Sequence, residues 1–330
     1  MNNALAPETL LQILAALADG NAALASTLAE RTAVQESALL ACVDQLAEHG
    51  VRQRSDGSLR IPGGLELLDA QMIALRVPVF GGRPLAVELR AVTGSTNDDA
   101  RAALASGQRP AFAVLAEAQQ SGRGRRGRPW SSPVASNLYV TIAEALPGGI
   151  ESSRGLSLAI GVAVAEGIDR ATGLDVDLKW PNDILHRGRK LGGVLVELAE
   201  GPAGCAAIIG IGLNVRVPDY VGRNIDQAWT DLHRCAVVDV SRNDLAAAVI
   251  AAVMRTLDHF RAEGFDALLR SRWQARDPFF DRRVVATGSA TVFEGTERGI
   301  DAEGQLLIDT GSSLERIGAG EVSIRLAAGA

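Results

Sequence analysis

The spacing of apolar residues changes character twice along this chain, and the two changes limit what it can fold into. Over residues 7–18, Leu10, Leu11, Ile13, Leu14 and Leu17 recur at helical spacing, with Pro7 at the start and Gly20 past the end. Two further helices are expected at about 22–30 and 35–48, the second closed by His49 and Gly50. Residues 51–61 then read as a hairpin turning at Asp56-Gly57, so the first segment predicts a winged helix-turn-helix ending near Pro62-Gly63-Gly64. From about 70 to 272 the two periods mix: 111–116, 137–142, 194–198 and 207–211 are strand-like, whereas 156–172 and 244–263 are helical. Beyond Trp273 and Pro278 only short runs remain, at 283–287, 290–294, 305–309 and 321–326, which predicts a small β-barrel. The class is α+β, divided at 1–66, 67–274 and 275–330, with a mixed α/β centre. At 330 residues and 47% hydrophobic content the chain can fill two or three cores.

Charge narrows the function. A formal net charge of −6 argues against a nucleic-acid binder that uses its whole surface, although one local basic face remains open. The first 60 residues hold seven acids against four arginines. Residues 33–48, where a recognition helix would lie, carry Glu36, Asp44 and Glu48 and no lysine or arginine. Of this segment only the wing residues Arg52, Arg54 and Arg60 suit DNA phosphate. No apolar run approaches the roughly 18–20 residues of a membrane helix, and the first residues lack a secretion-signal pattern, so a cytoplasmic protein with no membrane partner is expected. Cys42, Cys205 and Cys235 are odd in number and far apart, which predicts neither disulfides nor a zinc site.

Of 33 lysines and arginines only Lys179 and Lys190 are lysine. In a chain so biased toward arginine, these mark positions where a compact ammonium is wanted rather than a planar fork. The arginines themselves crowd into Gly122-Arg123-Gly124-Arg125-Arg126-Gly127-Arg128. This run contains the Gly-x-Gly-x-x-Gly spacing of a dinucleotide site, but Arg128-Pro129-Trp130-Ser131-Ser132-Pro133 follows, and two prolines so close forbid the helix that site needs. The Gly-Lys-Ser/Thr ending of a phosphate-binding P-loop is missing as well. A loop is left in which four like charges repel, and it is expected to stay mobile until an anion arrives.

Gln119-Gln120-Ser121 leading into that run resembles the signature loop of the biotin protein ligases, and Lys179-Trp180-Pro181-Asn182-Asp183 resembles the family's second motif. Arg189-Lys190-Leu191-Gly192-Gly193-Val194-Leu195-Val196-Glu197 and Gly210-Ile211-Gly212-Leu213-Asn214-Val215 follow in family order. The resemblance spans essentially the whole chain and is closest to the larger members that are both ligase and biotin repressor. It implies a biotin/lipoate-ligase-like catalytic domain and an SH3-like C-terminal barrel. The implied reaction activates biotin with ATP and Mg²⁺ to biotinyl-5′-AMP and transfers it to a lysine of the biotin carboxyl-carrier protein of acetyl-CoA carboxylase. Operator DNA and a homodimer formed with biotinyl-5′-AMP are the further implied partners. A lipoate ligase of the same fold, or a repressor with vestigial catalysis, are the alternatives.

That reaction brings two anions together, and Arg123 and Arg125 can supply the opposing charge. Lys190 suits a point charge between carboxylate and phosphate and is the first catalytic candidate, with Arg125 and Asp183 beside it. Asp183 suits either holding Mg²⁺ or accepting the proton of the incoming lysine. Biotin's neutral ring and aliphatic chain call for a few fixed polar groups, and Ser95, Thr96, Asn97 and Gln119 fit, joined by Arg123, Gly124, Arg125 and Lys190. Ser95-x-x-Asp98 also reads as a capping box for a helix at 97–105. Gly192 and Gly193 would let the strand backbone approach the ligand. On the nucleotide side stand Arg123, Arg126, Asn182, Trp130 lying over the adenylate, and Asn214 in a Gly-x-Gly-x-Asn turn reading the adenine edge. Trp229 with 216–226 resembles a second adenylate-covering loop, and Arg325 matches a C-terminal family arginine near the nucleotide.

Overall fold

Pro7 opens the first helix, α1 (Pro7–Ala16), whose Leu10, Ile13 and Leu14 are buried. The structure, a computed structural model, describes residues 5–82, 84–201, 204–235, 240–288, 292–318 and 322–327. Helix α2 (Ala25–Thr32) follows. The single helix expected at 35–48 is two, α3 (Glu36–Ala41) and α4 (Val43–Glu48), because Cys42 between them leaves helical geometry at φ −109 and ψ 15. Strands β1 (Arg52–Gln53) and β2 (Leu59–Arg60) pair antiparallel as the hairpin signal predicts, and the Asp56 carboxylate accepts from Ser58 N at 3.0 Å to fix the turn. Leu14, Leu28, Leu39, Leu46 and Leu59 fill a small core that also takes in Ala118, Val134 and Ala135 from the middle of the chain. The helical unit is therefore seated on the central one by apolar burial.

The central unit runs α5 (Ala70–Arg76), β3 (Ala86–Thr93), α6 (Thr96–Ala105), β4 (Phe112–Gln119), β5 (Leu138–Ala145), α7 (Leu156–Thr172), β6 (Asp177–Lys179), β7 (Asp183–His186), β8 (Arg189–Gly201), β9 (Gly204–Leu213), α8 (Asp219–Gly222), α9 (Leu232–Cys235), α10 (Arg242–Glu263) and α11 (Ala267–Gln274). Among the described residues its strands form a seven-stranded sheet in the order β3-β4-β5-β9-β8-β7-β6, with β3 and β4 parallel and the other pairs antiparallel. Leu138, Val140 and Ile142 send their side chains into the core shared with α7 and α10, so the alternate residues of β5 must face the other way. Helix α6 covers part of that second face through Ala100 and Leu104, and the rest is left for a site.

Strands β10 (Arg283–Thr287), β11 (Val292–Ile300), β12 (Leu306–Asp309), β13 (Leu314–Ile317) and β14 (Ser323–Leu326) form a five-stranded antiparallel sheet in the order β13-β12-β11-β10-β14. Residues 290, 291 and 321 of the runs expected here lie outside the described residues. The molecule is thus a mixed α/β fold with a C-terminal β-sheet unit. Val284, Ala286, Leu306 and Ile308 of that unit belong to the same continuous core as α7 and α10. No helix among the described residues is long and apolar enough to cross a membrane.

A buried acid and a half-buried one meet at the junction. Glu297 on β11 is 0% exposed and faces Asp277 closely enough to share a proton with it. Glu297 Oε2 and Asp277 Oδ2 otherwise lack a hydrogen-bond partner. Burial pushes Glu297 up to about 8, and the adjacent Asp277 charge adds to the shift. A raised acid pKa means that the folded state holds a proton the unfolded chain has released, so stability is expected to fall as pH rises from about 4.5 to about 8. Glu297→Gln keeps a neutral side chain there and should flatten that slope in denaturant titrations at matched pH values. An equally steep slope in the variant would mean that other groups cause it.

Candidate active site

Register along the sheet puts Tyr139 opposite Gly212 and Thr141 opposite Gly210, with Gly193 and Leu195 next to them on β8. These residues share the second face, and the three glycines keep it low. A cavity of about 830 Å³ stands on this floor. Its walls come from the start of α6, the arginine run, the turn between β6 and β7, residues 224–229 and β14. The floor fits its neighbours tightly: a Cβ at Gly212 would lie 2.7 Å from the Trp130 ring, so only glycine admits the indole there. Gly192 faces the opposite way, where a Cβ would meet Leu213 at 2.5 Å, so of the glycine pair expected to approach a ligand only Gly193 lines the cavity.

The polar groups at the α6 end form one chain. Thr96 N donates to Gln119 Oε1 at 3.0 Å, and Gln119 Nε2 donates to Ser132 Oγ at 3.0 Å. Thr141 Oγ1 lies 2.7 Å from both Thr96 Oγ1 and Asn97 Oδ1, and Asn97 Nδ2 donates to Glu197 Oε2 at 2.7 Å. Ser95 precedes the helix as expected, but its side chain makes no cap bond; the capping box fails because Ser95 is turned inward, 3% exposed, at the cavity edge.

The arginine run is a closed hairpin rather than a free arc. Gly124 N donates to Arg128 O, and Trp130 N to Gly122 O, each at 2.8 Å. Its charges are also spread: Arg123 makes a two-pronged pair with Asp98 at 2.6 and 2.5 Å, which holds the Asp98 carboxyl below its ordinary range. Arg126 sits at the tip with φ 60, exposed. Arg125 reaches inward, where burial and the neighbouring arginines lower its pKa while Asp183 opposes them.

Lys190 and Asp183 meet at 2.7 Å, with both side chains about one-fifth exposed. In a regular strand residues 190 and 193 would face opposite ways. A register shift between β7 and β8 at Ile184/Leu185 pairs Lys190 with Leu185 and puts its side chain beside Gly193 and Asp183. The Lys190 amine also lies 5.5 Å from the Trp130 ring centroid. Lys179 stands opposite Asp183 in the β6/β7 pair, and its amine lies 5.8 Å from the Phe279 ring centroid. Burial first, then Lys190 and Arg325, lower the Lys179 pKa, while Asp183 works against them.

The remaining residues support the walls. Asn182 Nδ2 donates to Val194 O at 2.8 Å and holds the turn, whose Trp180 donates through Nε1 to Gly304 O in the C-terminal unit at 3.1 Å. Asn214 follows the end of β9 rather than sitting in a turn, since the Gly-x-Gly spacing belongs to the strand. Its Nδ2 donates to Thr230 O at 3.0 Å and so fixes the second loop, in which Trp229 is stacked by Arg234 at 4.5 Å. Arg325 lines the cavity from β14. Apart from Gly192 and residues 216–223 of the second loop, every residue expected at the biotin or nucleotide site lines this cavity. Far from it, Arg54 and Arg60 are exposed on the hairpin, whereas the Arg52 guanidinium is tied to the Ala47 and Val51 carbonyls, each at 3.0 Å. Sequence reasoning passed over Thr141, Ser132 and Glu197 as polar partners of the site, although Ser132 and Glu197 fell within stretches already singled out.

Known proteins match this chain over nearly its full length. The biotin/lipoate A/B protein ligase family profile matches residues 90–214, and that of the biotin protein ligase C terminal domain matches residues 279–325. The bifunctional ligase/repressor BirA of Salmonella typhimurium is 36% identical over 325 residues, 96% of this chain and 98% of that one. The biotin–acetyl-CoA-carboxylase ligase of Mycobacterium tuberculosis is 31% identical over 72% of this chain and 88% of that protein. Among solved structures, a biotin protein ligase from Aquifex aeolicus in complex with biotin and ATP superposes with a TM-score of 0.64 at 26% identity, covering 73% of this chain and 99% of that one.

Proposed function

The chain belongs to the biotin protein ligase family, and on that premise we propose that its cavity joins biotin to ATP as biotinyl-5′-AMP and hands biotin to one lysine of a biotin carboxyl-carrier protein. It is an ATP-dependent biotin–protein ligase with biotin and ATP as substrates. The observation that carries the site assignment is the Lys190–Asp183 pair, set at 2.7 Å in the cavity that also holds the arginine hairpin.

Biotin's ring sits at the Ser95, Thr96 and Gln119 end, where neutral donors and acceptors are already fixed. Asn97 supports that end from beneath, since both its polar atoms are engaged. Arg123, Gly124 and Arg125 close over the aliphatic chain and carboxylate, and Gly193 gives the ligand access to the backbone. Lys190 stands where that carboxylate meets the α-phosphate and offsets the repulsion of the two anions. Arg126, Trp130 and Arg325 face the nucleotide, while Asn182 and Asn214 hold the backbone around it. Asp183 belongs to no group of three or more carboxylate, histidine or cysteine side chains that could hold a metal among the described residues. This suits a Mg²⁺ ion held mainly by phosphate oxygens and water, which when bound would neutralise phosphate charge. In the second step Asp183 can take the proton that the carrier lysine loses.

The N-terminal unit supports the second, repressor role that the bifunctional relatives bear. We read it as a winged helix-turn-helix over 1–66, followed by a catalytic domain over 67–274 and an SH3-like barrel over 275–330. Its DNA contacts run through Arg54 and Arg60, because α3 and α4 expose Glu36 and Asp44. Biotinyl-5′-AMP promotes the homodimer that binds the operator. Incubation with biotin, Mg-ATP and a carrier domain should give the mass gain of one biotin; no gain at saturation, or a gain with lipoate instead, overturns the ligase reading. A gel shift on the upstream DNA, with and without biotinyl-5′-AMP, tests the repressor role.

A further inference from the structure

Four arginines between residues 123 and 128 repel one another, which by itself would hold their loop open until an anion arrives. The loop is nevertheless closed, and the chain supplies the anion itself. Asp98 stands in the first turn of α6 and does not line the cavity, yet both its carboxylate oxygens go to one partner. Arg123 donates to Oδ2 through Nη1 at 2.6 Å and to Oδ1 through Nη2 at 2.5 Å. Glu197 lies farther from the same guanidinium, at 3.7 Å, and is already engaged by Arg101 at 3.2 Å and by Asn97 Nδ2 at 2.7 Å. Asp98 is therefore the dedicated acid.

Arg123 is also where the hairpin shuts. Its backbone forms a bridge with Pro129, next to the bond from Trp130 N to Gly122 O. One residue thus joins the two arms of the hairpin through its backbone and ties the hairpin to α6 through its side chain. The start of α6 is itself fixed, because Thr96 and Asn97 are each 4% exposed and bonded to Gln119, Thr141 and Glu197. A rigid helix end is in this way connected to a strained cationic loop by two charge-assisted hydrogen bonds.

We propose that Asp98 is a positioning residue that closes the arginine hairpin before biotin binds, by holding the Arg123 guanidinium against α6. Its effect on biotin rests on the ligase reading above. A ligand that needs the closed loop binds with an apparent affinity reduced by the fraction of molecules in which the loop is closed. The pair is partly solvated, Asp98 at 52% and Arg123 at 27%, but its geometry is two-pronged, so its loss should move the closed-to-open ratio by roughly tenfold. Adenylation and transfer both take place with the hairpin shut over the ligand, so turnover at saturating biotin does not depend on Asp98.

An acid in the first turn also favours the helix N-terminus, and that simpler role would show in stability and leave the loop unchanged. Timed trypsin digestion of the full-length, biotin-free protein separates the two, since cleavage after Arg125 or Arg126 follows the population of the open loop. With the balance moved from mostly closed to mostly open, Asp98→Asn should be cut about threefold faster than wild type, and bound biotinyl-5′-AMP should abolish the difference. KM for biotin should rise about threefold while kcat stays within about twofold. Asp98→Glu keeps the carboxylate and should restore most of both. Unchanged cleavage, an unchanged or lowered KM, or a matching fall in kcat overturns the proposal, and a lower thermal midpoint with unchanged cleavage assigns Asp98 to the helix alone. A wild-type protein that fails to bind biotin would overturn the ligase reading instead, while the biotin-free digestion would still decide whether Asp98 closes the loop.

Discussion

Replacing Lys190 with arginine is expected to slow biotinyl-5′-AMP formation at least about tenfold although the charge is kept, a loss of about 1.4 kcal/mol of transition-state stabilisation. The ammonium is confined between the Asp183 carboxylate at 2.7 Å and the Trp130 ring at 5.5 Å, with its side chain 18% exposed. A guanidinium is longer, planar and directional, so it must move Asp183 or Trp130 or withdraw from the place where carboxylate and phosphate meet. Single-turnover measurement of adenylate appearance reads the effect directly. A variant turning over near the wild-type rate would show that charge alone matters at this position, and the scarcity of lysine in the chain would then say nothing about chemistry.

Arg242→Ala is expected to lower the unfolding free energy by about 3–5 kcal/mol, the range for removing one partner of a buried ion pair. Arg242 and Glu117 are only 5% and 4% exposed and meet at 2.7 Å. The same guanidinium donates to the Glu66 carbonyl at 2.6 Å, while Glu117 accepts from Leu68 N at 2.6 Å. Without the arginine, the Glu117 charge is left in the interior and the 66–68 segment loses its tether. Urea titration of the full chain measures this. A change below about 1 kcal/mol would mean that water reaches Glu117 and screens it. Substituting both partners with apolar side chains should recover much of the loss, since the destabilisation lies in the orphaned charge.

Where an element buries a long regular stripe, the sequence showed it with accurate ends: 156–172 is α7 and 283–287 is β10. The break at Cys42 was invisible because neither proline nor glycine marks it. Strand β3 is an edge strand with no fully buried residue, and β6 is three residues long, so neither carries an apolar period. The site was legible as a set of residue types because its motifs are local. Its wiring was not, since Arg123 finds Asp98 and Asn97 finds Glu197 only through the fold. The strand irregularity that turns Lys190 toward Gly193 leaves no mark in residue type, yet it decides which way the ammonium points.

The continuity of the core from α7 into β10 and β12, reinforced by the Trp180 bond to Gly304, bears on how this architecture can be shuffled. A C-terminal segment lifted from a relative would arrive with side chains shaped for another α7. The segment is inherited together with the sheet it covers, and a chimera joined near residue 275 would need its interior redesigned on both sides of the seam.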